Sequence, residues 1–203
     1  MALSAIEQDA TSELLNVSMG LAANSLSKMI DEEVNLAIPD VEFLTQDELR
    51  ERMARVHGEQ SLTAVMQEYE GDIRGVGMLL FAEEGGLALV RAMLKEGVSL
   101  NEITDLEQEA LAEVGNILLN ACFGALANQL KMDVSSGLPV FHRGSYRDLF
   151  NASRKTDDVM LLKIEFDVPG QQIQGFMSFT MNLASIQKFE ERIRQFLGDL
   201  KVS

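Results

Sequence analysis

Apolar positions near the N-terminus recur at helical spacing. In the first stretch Ile6, Ala10, Leu14, Val17 and Leu21 follow one another at intervals of three and four, and in a second stretch Leu106, Ala110, Val114, Ile117 and Ala121 do the same. Each run opens on a capping-box pattern, Ser4 with Glu7 and Thr104 with Glu107, whose side chains can satisfy unpaired amides at a helix start. Two long helices are predicted, with these apolar stripes packed inward against a sheet. Alternating and apolar segments then predict strand pairs. "LTAVMQEYEGDIRGVGMLLF" carries a turn signal at Glu70 to Asp72, and "VMLLKIEFDVPGQQIQGFMSFTM" carries one at Pro169 and Gly170. The second strand of each pair passes through a glycine, Gly75 or Gly175. Helices in "GLALVRAMLKEG" and "NLASIQKFEERIRQFL" follow.

The two stretches are one pattern written twice, one hundred residues apart. Ser4 and Thr104, Glu7 and Glu107, Glu13 and Glu113, Asn16 and Asn116, Leu26 and Leu126, Pro39 and Pro139, Ile73 and Ile173, and Gly75 and Gly175 keep that offset. The least matched part lies between each long helix and its strand pair. There "LTQDELRERMARV" predicts a short charged helix, whereas "HRGSYRDLFNASRK" reads as loop, and such insertions are expected on the surface. No Pro/Ser-rich linker separates the halves. The expectation is one α+β domain over residues 1–203, made of halves at about 1–98 and 99–203. Its sheet should be continuous and mainly antiparallel, with both long helices on one face.

Composition narrows the function. Nearly half of the 203 residues are apolar, enough for a substantial core. The start "MALSAIEQDA" lacks the basic and apolar segments of a leader, and no bilayer-length apolar run is read along the chain, so a cytoplasmic protein without membrane insertion is expected. A formal charge of −15 repels phosphate backbones and argues against nucleic acid. The lone Cys122 reads as a buried apolar side chain, and His57 and His142 keep no ligand-like spacing, so neither a metal site nor an intrinsic cofactor is expected. The eleven methionines read as core filler.

The polar strip beside each apolar stripe holds the chemistry. At about 100° per residue, Asp9, Glu13, Asn16 and Gly20 share one narrow strip, and Glu109, Glu113, Asn116 and Asn120 share its counterpart. Asparagine inside a helix costs roughly 0.5 to 0.7 kcal/mol relative to alanine, so its return at the same place invites a reason. Each half reads acid, three residues, Glu, two residues, Asn, and then Pro after twenty-two more.

This composite resembles the signature of the CheC, CheX and FliY family of chemotaxis phosphatases: Asp or Ser, three residues, Glu, two residues, Asn, twenty-two residues, Pro. Asp9, Glu13, Asn16 and Pro39 match throughout. Glu113, Asn116 and Pro139 match in the second half, where Glu109 stands in place of Asp or Ser. The resemblance spans almost the whole chain, and two motifs in one chain are most similar to CheC, since CheX carries one and dimerises. The rotor protein FliM has a similar fold without these residues.

The resemblance implies a protein substrate, a CheY-like response regulator carrying an aspartyl phosphate. Asn16 and Asn116 would place the attacking water, and Glu13 and Glu113 would dock on a receiver lysine. Mg2+ is expected on the partner receiver rather than on this chain. Asp9, Glu109, Gly20 and Asn120 are expected to contact the partner, and Pro39 and Pro139 to direct the chain after each helix. A CheD-like receptor deamidase is a further implied partner. The other readings are a non-catalytic adaptor that binds the phosphorylated receiver, and a flagellar-switch component.

Overall fold

The computed structural model describes residues 3–58, 60–94, 104–150, 158–168 and 171–200. Helix α1 (Ala5–Ile30) is followed by strand β1 (Asn35–Thr45), helix α2 (Gln46–His57), strands β2 (Leu62–Gly71) and β3 (Gly75–Ala82) and helix α3 (Glu83–Leu94). The same order returns with α4 (Thr104–Gln129), β4 (Val134–Ser136), β5 (Val140–Gly144), α5 (Tyr146–Phe150), β6 (Asp158–Val168), β7 (Gln171–Met181) and α6 (Leu183–Leu200). The fold is α+β, with one antiparallel sheet ordered β1-β6-β7-β3-β2-β4 and β5 also paired to β2.

The halves exchange their first strands. β1 pairs with β6 of the other half, β4 and β5 pair with β2, and β3 meets β7 at the centre. Two glycines make the centre possible. A Cβ on Gly75 would collide with the Thr180 carbonyl oxygen, and one on Gly175 would lie 2.7 Å from the Phe81 ring. Tyr69, buried beside Gly75, donates its hydroxyl to that same Thr180 carbonyl at 2.6 Å.

One face of the sheet carries the larger core, to which α1, α4, α3 and α6 contribute Leu15, Met19, Leu118, Val90 and Phe189, all essentially inaccessible. The opposite face carries a second core. There Leu49 and Met53 of α2 meet Tyr146, Leu149 and Phe150 of α5 over Leu62, Met78 and Leu161. This corrects two expectations. The "HRGSYRDLF" segment is strand and helix rather than loop, and the connectors are a third layer rather than surface insertions, because the sheet has two apolar faces and each must be covered. A repeat signal marks the connectors too. Thr45 caps α2 through Glu48, and Ser145 caps α5 through Asp148, one hundred residues on.

The Ser4–Glu7 capping box is present on α1, whereas Thr104 is already helical, with its side chain outside the described residues. The first hairpin turns at 72–74, slightly after the expected Glu70 to Asp72, and Pro169 and Gly170 lie outside the described residues between β6 and β7. Residues 95–97, the last of the predicted "GLALVRAMLKEG" segment, also lie outside the described residues. No uninterrupted apolar run of bilayer length occurs in α4, since Glu113, Asn116 and Asn120 break it, although the helix is long and apolar enough overall to cross a membrane. Its apolar side chains serve the core instead, with Leu111, Val114, Leu118, Leu119, Phe123 and Leu126 buried.

Candidate functional site

The inward face of α1 is not the predicted one. Thr11, Leu14, Leu15, Ser18, Met19, Ala22 and Leu26 are buried, while Ile6, Val17 and Leu21 are 63%, 59% and 66% exposed. A helix of this length offers two apolar stripes, and packing chose the one holding small polar residues. Thr11 and Ser18 are tolerated inside because their hydroxyls donate back to the Glu7 and Leu14 carbonyls, at 2.8 and 2.7 Å. On α4, Leu106 is likewise exposed whereas Val114 is fully buried, so the second stripe is divided.

The motif strip faces outward on α1. Asp9, Glu13, Asn16 and Gly20 are all exposed, and a side chain at Gly20 would meet open space. On α4 Glu109 and Glu113 are exposed, whereas Asn116 and Asn120 are half-buried. Among the described residues neither Glu13 nor Glu113 makes a hydrogen bond or an ion pair, so each carboxylate is available to a cation brought by a partner. One turn separates it from its asparagine, which places both side chains on one face of the helix.

Each asparagine has its carbonyl turned inward. Asn16 Oδ1 accepts from the Ile38 backbone N–H at 3.3 Å. Ile38 lies where β1 loses register with β6, between Ala37 and Asp40, next to Pro39. Proline lacks an N–H and cannot serve the ladder, so the pairing breaks at the motif proline and the preceding amide turns to the helix. Pro139 has the matching place in the gap between β4 and β5. The long spacing from asparagine to proline thus has a local meaning.

In the second half, Asn116 Oδ1 accepts from Asn120 Nδ2 at 2.7 Å and from Gln67 Nε2 at 3.4 Å. Gln67 Nε2 also donates to the Gly137 carbonyl at 2.7 Å, and the Ser136 hydroxyl donates to Asn120 Oδ1 at 2.6 Å. Gln67 drew no attention in the sequence, since a glutamine in an alternating strand looks solvent-facing. Its position on the inward side of β2, between Val65 and Tyr69, was the available signal.

Flanking carboxylates brace the helix starts. Glu7, buried at the base of α1, accepts from the Ser4 amide at 2.6 Å and from Arg194 of α6 at 2.8 Å. The Ser4 amide, against the opposing effect of burial, holds its pKa below the ordinary value, with the Ser4 hydroxyl and Arg194 adding to it. Its counterpart Glu107 meets Arg143, which also pairs with Glu83. Burial raises Glu107, with Arg143 opposing and the Glu83 charge adding to the rise. Burial also raises the Cys122 thiol steeply, which leaves no thiolate for chemistry. Among the described residues no group of three or more His, Cys, Asp or Glu side chains is placed to hold a metal ion.

Comparison with known proteins gives this site a context. No family model matches the chain. Among curated proteins, the flagellar motor switch phosphatase FliY of Bacillus subtilis is 20% identical over 169 residues, which cover 82% of this chain and 43% of that protein, so the chain spans less than half of its length. Among solved structures, Thermotoga maritima FliY superposes with a TM-score of 0.77 at 18% identity, covering 97% of this chain and all of that one. FliM in a FliG–FliM complex from H. pylori gives 0.67 at 11% identity, covering 93% of this chain and 100% of its own. A CheX–CheY–BeF3–Mg complex from Borrelia burgdorferi gives 0.52 at 16%, covering 82% and 96%. The fold is the one these proteins share. The chain resembles the CheC, CheX and FliY family in its motifs, in a curated relative and in this fold.

Proposed function

We propose that the chain is a phosphatase for the aspartyl phosphate of a CheY-like response regulator in chemotaxis signalling, and that among the family it stands nearest to CheC. The observation that carries this reading is the paired presentation of Glu13 with Asn16 and Glu113 with Asn116 on two neighbouring helices, each asparagine carbonyl anchored from within and each glutamate uncommitted.

An anchored amide suits the work. With Oδ1 held by the Ile38 N–H, the Asn16 side chain keeps its two N–H donors and a second carbonyl lone pair for a water and a phosphoryl oxygen. The water oxygen attacks phosphorus in line, the bond from phosphorus to the receiver's aspartyl oxygen breaks, the carboxylate leaves with the electron pair, and the water's protons pass to phosphate and solvent. Phosphoryl transfer of this loose kind asks mainly for placement and charge stabilisation. The charge stabilisation belongs to the receiver, whose Mg2+ and lysine sit at the phosphate, and Glu13 or Glu113 draws that lysine and aligns the helix. Asp9 and Glu109 add contacts at the rim, and open space at Gly20 lets the partner come close to α1. The place of action is the cytoplasm, and a CheD-like deamidase is a candidate regulator.

A second reading, an adaptor or flagellar-switch component that binds without hydrolysis, draws on the likeness to FliM from a FliG–FliM complex. Loss of radiolabelled phosphate from a phosphorylated CheY-like receiver separates the two. Asn16→Ala and Asn116→Ala should each slow the release, and the double variant should leave only the receiver's own decay. Full activity in the double variant overturns the hydrolytic reading, and phosphate-dependent binding without faster decay favours the adaptor.

A further inference from the structure

Among the described residues the side-chain donors that hold Asn116 have no counterparts around Asn16. Asn120 stands one hundred residues from Gly20, which has no side chain. The counterpart of Gln67 follows from the strand registers. Val140 faces Met66 and Ser136 faces Tyr69, as Asp40 faces Lys163 and Leu36 faces Phe166. Gln67, next after Met66, therefore matches Ile164, next after Lys163, which is apolar and fully buried.

The amide orientations in this cluster are fixed by one backbone group. The Gly137 carbonyl can only accept, so the Gln67 atom facing it is the Nε2 donor. The same Nε2 meets Asn116, which must answer with Oδ1, and Asn120 must then present Nδ2 to that oxygen and Oδ1 to the Ser136 hydroxyl. The Asn116 amide is left in a single orientation, carbonyl inward and both N–H groups outward. Gln67 is 2% exposed, and its Oε1 is buried without a partner among the described residues. A buried acceptor left unpaired works against stability. An apolar side chain would fill that place at no such cost, as Ile164 does.

We propose that Gln67 and Asn120 form a clamp that positions the Asn116 amide, so that the second site meets its substrate with a preset side chain while the first, among the described residues, sets Asn16 with the Ile38 amide. Gln67 is a positioning residue, acting through Asn116. The inference rests on the phosphatase reading above and adds a difference in kind between the two sites.

The test isolates one site at a time. In the Asn16→Ala protein, where turnover comes from the second site, Gln67→Met keeps the volume of the side chain and removes its donor. There kcat for phosphate loss from the receiver should fall about fivefold with KM unchanged, while Tm stays level or rises. In the Asn116→Ala protein the same Gln67→Met change should leave the first site's kcat as it was, which also shows that the fold is intact. An unchanged kcat in the Asn16→Ala protein, or an equal fall in both proteins, overturns the clamp alone. An unmodified protein that does not speed phosphate loss overturns the phosphatase reading, and the clamp with it.

Discussion

Glu7 and Glu107 occupy equivalent places one hundred residues apart, yet their surroundings push them in opposite directions. Glu7 ionises more readily than usual because the Ser4 amide and Arg194 meet its charge. Its contribution to stability is therefore present above the ordinary 4.5 and is lost as pH falls through the lowered native value. Glu107 is raised, so its charged form works against the fold above its native value, and that cost is relieved on acidification. Glu7→Gln should lower stability at pH 7, with the gap to the parent closing below pH 4.5. Glu107→Gln should lose less at pH 7. Urea unfolding across this range measures both, and equal losses that do not depend on pH would contradict the assignment.

At the scale of the element, α1 shows why helical spacing does not choose a face. Ile6, Val17 and Leu21 keep the interval of a buried stripe as faithfully as Leu15, Met19 and Ala22 do. The buried set wins because Ala22 and the back-bonded Thr11 and Ser18 let the helix lie close to its neighbours, as small side chains do, while the larger Leu15 and Met19 fill the remaining space. Leu15→Ala should cost about 2–5 kcal/mol, as large-to-small changes in a core do. Leu21→Ala should change stability by no more than about 0.5 kcal/mol, as at an exposed site. Chemical denaturation of the two variants decides which face is inside, and the reverse order would refute it.

At the scale of the molecule, the exchange of first strands makes each half depend on the other. β1 has β6 as its sheet neighbour, and β2 and β3 find their outer partners in β4, β5 and β7. Residues 1–98 alone would leave Leu36, Val41 and Phe43 of β1 without the second half that covers them. That fragment should give no folded monomer in dilute solution. Sedimentation together with amide spectra checks this, and a monomeric species with dispersed resonances would contradict it.

Both long helices, the strand pairs that pass through Gly75 and Gly175, the charged helix α2 and the helical placement of Asn16 and Asn116 were legible in the sequence, because spacing and turn chemistry are local properties of the chain, whereas β5 and α5 were read as loop. The repeat also pointed to two sites of one kind. Which helix face is buried, that the connectors form a second core, and that Gln67 reaches Asn116 from forty-nine residues away were decided by the tertiary structure. Those features depend on which surfaces meet across the sheet. A contact between residues distant along the chain leaves no period in the sequence to read.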